Sequence, residues 1–119
     1  MAATKALSTI IAAGTSNAAA GTTTGAAVSL ATAYGAFITG LLTNGATGPT
    51  VAPVAIIEAS GDGTNWKEIY RVGGDTTASS ITPYSYEVCA PIMNVRVRVT
   101  GNTGQAVACE AFAQVLATI

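Results

Sequence analysis

The eight residues from 93 to 100, MNVRVRVT, alternate between apolar and polar side chains. Methionine or valine at every second position fits the two faces of a β-strand and does not follow the 3.6-residue period of a helix. One face of this strand is therefore expected to lie in a hydrophobic core. The other face, which carries Arg96 and Arg98, is expected to meet solvent or a partner.

Turn residues and further alternating segments surround this strand. The segment 101–104, GNTG, predicts a tight turn, and 105–117 predicts a returning strand that forms a hairpin with 93–100. The core face of the returning strand is predicted to hold Val107, Cys109, Ala111, Ala113 and Val115. A second hairpin is predicted from strands at 54–60 and 65–72, with the turn GDGT between them. Other strands are predicted over 4–11, 26–31, 36–43 and 84–88.

Short strands separated by turn residues, without helical segments between them, are typical of antiparallel sheets. We predict an all-β fold: an antiparallel β-sandwich, jelly-roll-like, with an extended N-terminal arm. Residues 1–25 are predicted to form that arm or an edge strand, and residues 26–119 the β-sandwich domain. If residues 2–25 form an arm that docks on a partner, their deletion is expected to abolish docking and to leave the sandwich folded.

Only 9% of the residues are charged, whereas about 25% is typical. Small neutral residues replace the charged ones, and a surface of this kind loses little solvation when neighbours cover it. Five basic residues against six acidic ones create no positive field for phosphates, so nucleic acid is not expected as the main partner. No apolar run approaches the roughly 20 residues that span a bilayer, so no membrane partner is expected.

The sequence contains no histidine, which removes the histidine-dependent nucleophilic pairs and the histidine metal sites. Cys89 and Cys109 each lie close to a glutamate, which disfavours a thiolate, so both are predicted to be free, unreactive thiols buried in the core. Asp62 is explained by its turn rather than by a calcium loop, and the other carboxylates by solvation or pairing with arginine. We therefore predict no enzyme activity, no catalytic residue, no metal ligand and no cofactor.

The aromatic residues leave two interpretations open. Trp66 and Tyr70, four residues apart on a predicted strand, could stack on a sugar ring if they are exposed, or fill the core if they face inward. Tyr84 and Tyr86 are further candidates for stacking on a ligand. Candidate contacts to a protein partner come from the N-terminal segment and from the outward strand faces: Lys5, Ile10, Ile11, Arg96, Arg98 and Phe112.

The segment 60–66, SGDGTNW, resembles a recurrent Ser-x-Asp-Gly-Thr-x-Trp hairpin of small β-sandwich domains in tailed-phage structural proteins and bacterial surface proteins. The likeness extends over 54–99 and includes the Val/Arg strand. It implies a capsid decoration, or cement, protein on the virion surface, whose partners are the major capsid protein and copies of itself. In such proteins an arm, here 2–25, and a loop, here 43–53, would lie across neighbouring subunits. The alternatives are a carbohydrate- or receptor-binding module and a bacterial surface or filament subunit.

Overall fold

Nine β-strands account for the regular structure of the computed structural model, which describes residues 3–118. They are β1 (Thr4–Asn17), β2 (Thr22–Thr24), β3 (Val28–Ser29), β4 (Ala36–Asn44), β5 (Val54–Ser60), β6 (Lys67–Gly73), β7 (Ile81–Val88), β8 (Asn94–Thr100) and β9 (Val107–Thr118). No helix occurs among the described residues, so none there could cross a membrane. The predicted all-β class is confirmed.

The strands form two antiparallel sheets. Sheet A has the strand order β1-β9-β4-β7, and sheet B has the order β2-β8-β5-β6, with β3 also pairing with β8. A single hydrophobic core collects side chains from both sheets. This arrangement confirms the predicted antiparallel β-sandwich.

Period-two alternation determines which side chains enter the core. On β8, Val95, Val97 and Val99 are fully buried, while the residues between them are partly exposed. On β9 the five residues predicted for the core face are all buried as well. Each fully buried aliphatic side chain of this size stabilises the fold by about 1.5–3 kcal/mol relative to the exposed state.

The connection between β8 and β9 corrects one prediction. These strands do not form a hairpin with each other: β8 pairs with β5 in sheet B, whereas β9 pairs with β1 and β4 in sheet A. Gly101 and Gly104 take positive φ, as the turn residues predict, but the chain uses the turn to cross between sheets. Each strand has one apolar face in either arrangement, so the local pattern does not distinguish a hairpin from a crossing.

The N-terminal strand is part of the sandwich rather than a free arm over residues 4–17. It pairs with β9 at the edge of sheet A, and an irregularity between Thr9 and Ile11 brings both Ile10 and Ile11 into the core, each 4% exposed. Gly25 packs against them, since a Cβ there would lie 2.5 Å from Ile10 Cγ2. Deleting 2–25 would remove these two core side chains, so we expect the deletion to destabilise the sandwich.

A buried amide network fixes the end of β1. Asn17, 1% exposed, donates through Nδ2 to Asn102 Oδ1, and Thr23 Oγ1 donates to Asn17 Oδ1 at 2.7 Å. Asn102, fully buried, donates to the carbonyls of Asn17 at 3.2 Å and Gln105 at 2.9 Å. The network joins the β1–β2 and β8–β9 connections, both of which cross between the sheets. The network also positions β2, which was not predicted because its three threonines show no apolar alternation.

The β5–β6 hairpin agrees with its prediction. Asp62 organises its turn by accepting hydrogen bonds from the backbone nitrogens of Thr64 and Asn65, both at 2.8 Å, and from Ser60 Oγ at 2.9 Å. These bonds favour the charged carboxylate and hold the pKa of Asp62 well below its usual range, the backbone bond from Asn65 having the largest effect. Asp62 and its neighbours therefore hold the turn in shape, as the sequence predicted.

Candidate functional site

The outward side chains of sheet A form one continuous surface, which we call the apolar face. It consists of Lys5, Leu7, Thr9 and Ser16 on β1; Ala108, Glu110, Phe112, Gln114 and Leu116 on β9; Phe37, Thr39, Leu41 and Thr43 on β4; and Ile81, Pro83, Ser85 and Glu87 on β7. Strand register places these side chains in rows. One row, for example, contains Leu7, Gln114, Phe37 and Glu87, and the next contains Thr9, Phe112, Thr39 and Ser85.

Large hydrophobic side chains on the apolar face remain in contact with water. Leu7 is 67% exposed, Ile81 58% and Phe37 45%. Phe112 and Leu41 lie between them, Leu116 lies beyond them in the row of Lys5, and all three are partly exposed. Several large apolar side chains exposed on one face, rather than a single one, are typical of an interaction surface.

Two shallow depressions mark the same face. One, of about 580 Å³, lies at the end of the sheet near Lys5, Tyr34, Phe37, Glu87 and Cys89. The other, of about 530 Å³, is bordered by Thr39, Leu41, Pro83, Ser85 and Glu110. The apolar face therefore combines protruding side chains with hollows, which is the relief that interlocking surfaces need.

The outward side of sheet B, which we call the charged face, has a different chemistry. Its charged residues are Glu58, Glu68, Arg71, Arg96 and Arg98. Glu58 is only 6% exposed and accepts from Arg96 Nε at 2.9 Å, with Arg98 Nη2 3.5 Å from its second oxygen. Arg71 contacts Glu68 at 2.7 Å and lowers the pKa of that carboxyl. Each of these five charged groups thus has an oppositely charged partner within the monomer.

The four aromatic candidates do not form a common stacking platform. The Arg96 guanidinium lies 4.2 Å from the centre of the Trp66 ring and covers it. Tyr70 and Tyr86 stack on each other with ring centres 4.7 Å apart, across the edges of the two sheets. These three rings already have partners within the chain.

Tyr84 is buried at 6% exposure, which corrects its selection as a candidate for stacking on a ligand. Its ring occupies the space over Gly40, where a Cβ would lie 2.2 Å from Tyr84 Cζ, and its hydroxyl donates to the Glu110 carbonyl at 2.8 Å. Burial raises the pKa of Tyr84. The tyrosine therefore supports sheet A from the inner side.

The predicted partner contacts are divided among three environments. Lys5 and Phe112 lie together on the apolar face, whereas Arg96 and Arg98 lie on the charged face and are engaged with Glu58. Ile10 and Ile11 are buried, which corrects their assignment as contact residues. Sequence reasoning did not select Leu7, Phe37 and Ile81; the alternation of 36–43 was the signal that could have placed Phe37 outward.

No side chains with evident catalytic chemistry converge in the part of the chain that the structure describes. Both cysteines are free thiols. Cys109 is buried as predicted, and burial raises its pKa, whereas Cys89 is exposed, which corrects its prediction as a core thiol. No cluster of three or more cysteine, aspartate or glutamate residues lies within metal-binding reach among residues 3–117.

No protein-family model matches the sequence, and no curated protein matches it. Its fold is similar to that of the PBSX exported protein XepA, with 14% identity, a TM-score of 0.66, and coverage of 96% of this chain and 38% of that one. The infectious bursal disease virus VP2 subviral particle gives 15% identity, a TM-score of 0.61, and coverage of 95% and 32%.

A third similar structure is that of Bacillus endospore appendages, described as disulfide-linked pili. It gives 14% identity, a TM-score of 0.53, and coverage of 98% of this chain and 90% of that one. The chain spans about a third of the XepA and VP2 chains. At these identities the likeness shows the β-sandwich fold that the three structures share with this chain.

Proposed function

We propose that this chain is a structural protein of a virion, and that it decorates the capsid by stabilising the junctions between shell subunits. The observation that carries the proposal is the apolar face, an uncovered sheet surface with Leu7, Phe37 and Ile81 exposed. Burying such a surface stabilises an assembly without removing many charges from water. The role requires neither catalysis nor a cofactor.

Two further observations support a virion role. The β-sandwich is similar in fold to the VP2 subviral particle of infectious bursal disease virus. The hairpin at 60–66 resembles those of tailed-phage structural proteins. We accordingly take the major capsid protein and copies of the chain itself as the partners, and the capsid surface as the location.

A carbohydrate-binding role has less support. Trp66 is covered by Arg96, and Tyr70 is stacked on Tyr86, so a sugar would have to displace interactions that the chain already makes. The apolar face instead offers aliphatic and phenylalanine side chains, which provide few polar groups to orient a sugar.

The proposal is tested by finding where the protein resides. An antibody against the purified chain would follow it through gradient sedimentation of virus particles from its source, and mass spectrometry would count copies per particle. We expect many copies at a fixed ratio to the major shell protein. Particles that lack the chain, with all of it in the low-mass fractions, would overturn the proposal.

A pair of matched variants connects this result to the apolar face. Phe37 on the face and Met93 away from it are 45% and 46% exposed. We expect Phe37→Glu to reduce incorporation into particles by at least about tenfold, because the glutamate would lose its hydration at the contact. Met93→Glu is expected to be incorporated like the unmodified chain.

A further inference from the structure

We infer that the apolar face binds the apolar face of a second copy, forming a twofold dimer whose axis runs parallel to the strands. The inference rests on the proposed function only in taking this face to be an assembly surface. A dimer of the purified chain can be measured without any particle, so the two can fail separately.

The size of the face is sufficient for such a dimer. Four strands about 4.8 Å apart and about nine residues long, at about 3.3 Å per residue, cover roughly 19 by 30 Å. This flat projection of roughly 570 Å² underestimates the accessible area, because side chains protrude from it. A standard specific interface buries about 800 Å² per partner, so one sheet face is near the required size.

The relief of the face complements itself under this rotation. A twofold axis parallel to the strands places β1 over the partner's β7, and β9 over the partner's β4. Leu7, which lies in the same row as Glu87, is then brought over the partner's Glu87, at the depression that this glutamate lines together with the partner's Phe37 and Cys89. Ile81 is brought over Ser16 of the partner, because both lie in the row of Thr43 and Ala108. Leu7 thus meets a hollow and Ile81 a small side chain, while Phe37 on β4 lies over Gln114 on the partner's β9.

The charges identify a second copy as the occupant. Lys5 lies on the β1 edge and Glu87 on the β7 edge, and neither has an ion-pair partner in the described part of the chain. The rotation places each Lys5 over the partner's β7, level with Cys89 and two residues, about 7 Å, from the partner's Glu87. A lysine side chain spans that offset, so two opposite-charge pairs form.

The remaining acidic group on the face is less favourably placed. Glu110 on β9 would lie over the partner's Leu41 on β4, and because β9 and β4 flank the axis, the two Glu110 side chains would be about one strand spacing, about 5 Å, apart at the centre of the interface. The two Lys5–Glu87 pairs at the rim favour this orientation, whereas the Glu110 pair opposes it.

The primary test measures the mass of the purified chain by sedimentation velocity and light scattering over a concentration series. We expect a concentration-dependent dimer of twice 11.8 kDa. Phe37→Glu is expected to raise the dimer Kd by at least about a hundredfold, since the rotation buries two added charges. Ile81→Glu is a second variant in case the first does not fold, and Met93→Glu is the control. Circular dichroism and thermal unfolding verify that each variant folds.

A charge-reversal cycle tests the orientation. We expect Lys5→Glu and Glu87→Lys each to raise the Kd about tenfold, because each creates two like-charge pairs. The double variant is expected to return to within about threefold of the unmodified chain. Raising the salt concentration should weaken the unmodified dimer and the double variant alike.

Several results would overturn the inference. The first is a chain that stays monomeric up to about 1 mM, which corresponds to negligible affinity. The second is a dimer that Met93→Glu disrupts and Phe37→Glu does not. The third is a double charge-reversal variant whose Kd is as high as that of the single variants. A monomer whose Phe37→Glu variant is lost from particles would assign the face to another shell protein and leave the virion proposal standing. A dimer in solution, with the chain absent from all particles, would leave the dimer inference standing and overturn the virion proposal.

Discussion

The two outward sheet faces of this sandwich follow the same strand alternation but differ in how their side chains are satisfied. On the charged face, Glu58 is nearly buried and contacts both Arg96 and Arg98. On the apolar face, Leu7 and Ile81 remain more than half exposed. One face completes its interactions within the monomer, whereas the other leaves apolar surface for a second molecule to cover.

This difference separates stability from assembly. Side chains on the charged face contribute to folding through ion pairs that form within the chain. Outward side chains on the apolar face lose little water on folding, so their removal should hardly affect the monomer. Matched substitutions on the two faces, and on the two sides of one strand, can therefore test whether the division is real.

The largest expected effect compares the two sides of β1. Ile11 is 4% exposed and Leu7 is 67% exposed. We expect Ile11→Ala to lower the free energy of unfolding by about 3 kcal/mol, because it leaves a cavity in the core. Leu7→Ala should change it by less than about 0.5 kcal/mol. Urea denaturation of both variants at a concentration where the chain is monomeric measures this, and equal losses would break the comparison.

The second effect compares a glutamate on each face. Glu58→Ala would leave Arg96 and Arg98, which are 23% and 31% exposed, side by side without their carboxylate. We expect a loss of about 2 kcal/mol, less than for a fully buried pair because the arginines retain some water. Glu110→Ala is expected to change the monomer by less than about 0.5 kcal/mol. Denaturant midpoints decide between the two, and a neutral Glu58→Ala would show that the charged face does not stabilise the fold.

The third effect compares an aromatic ring on each side of the molecule. Replacing Trp66 by Leu removes the contact with the Arg96 guanidinium, and we expect a loss of about 0.5–1 kcal/mol. Phe112→Leu on the apolar face, which keeps an apolar side chain between two threonines, should cost less than about 0.5 kcal/mol in the monomer. Thermal unfolding of both variants measures the difference, and the opposite ranking would contradict it.

Alternation in the sequence predicted the local part of this fold well. It placed the core faces of β8 and β9 correctly and gave β5 its observed bounds of 54–60. It failed where the outcome depends on contacts distant in the chain. The chain crosses between sheets after β8, and β2 forms because three threonines meet β8 rather than because of any pattern of their own.

The candidate surface was less predictable for the same reason. Lys5 and Phe112 were selected individually, but nothing local indicates that β1 and β9 are neighbours, or that β7 closes the same sheet. Leu7, Phe37 and Ile81 become one surface only through that strand order. Ile10 and Ile11 were assigned to a partner because the irregularity that turns both of them inward has no sequence signature.

The smallest expected effect concerns acid and the turn at the end of sheet B. Hydrogen bonds from Asn65, Thr64 and Ser60 lower the folded-state pKa of Asp62. A lowered pKa contributes stability that is present above the unfolded value of about 3.9 and is lost as the pH falls below it toward the folded value. The stability difference between the unmodified chain and Asp62→Ala should therefore be greatest near neutral pH and shrink below about pH 4.

Thr64→Ala provides the control for this acid effect, because Asp62 bonds the backbone nitrogen of residue 64 and not its side chain. The free energy of unfolding of Thr64→Ala should run parallel to that of the unmodified chain as the pH falls. The free energy of unfolding of Asp62→Ala should instead converge with that of the unmodified chain. Urea midpoints from pH 7 to pH 2.5 measure both curves. A constant gap for Asp62→Ala would show that the carboxylate does not couple folding to protons, and that the turn at the sheet B end is held by its backbone alone.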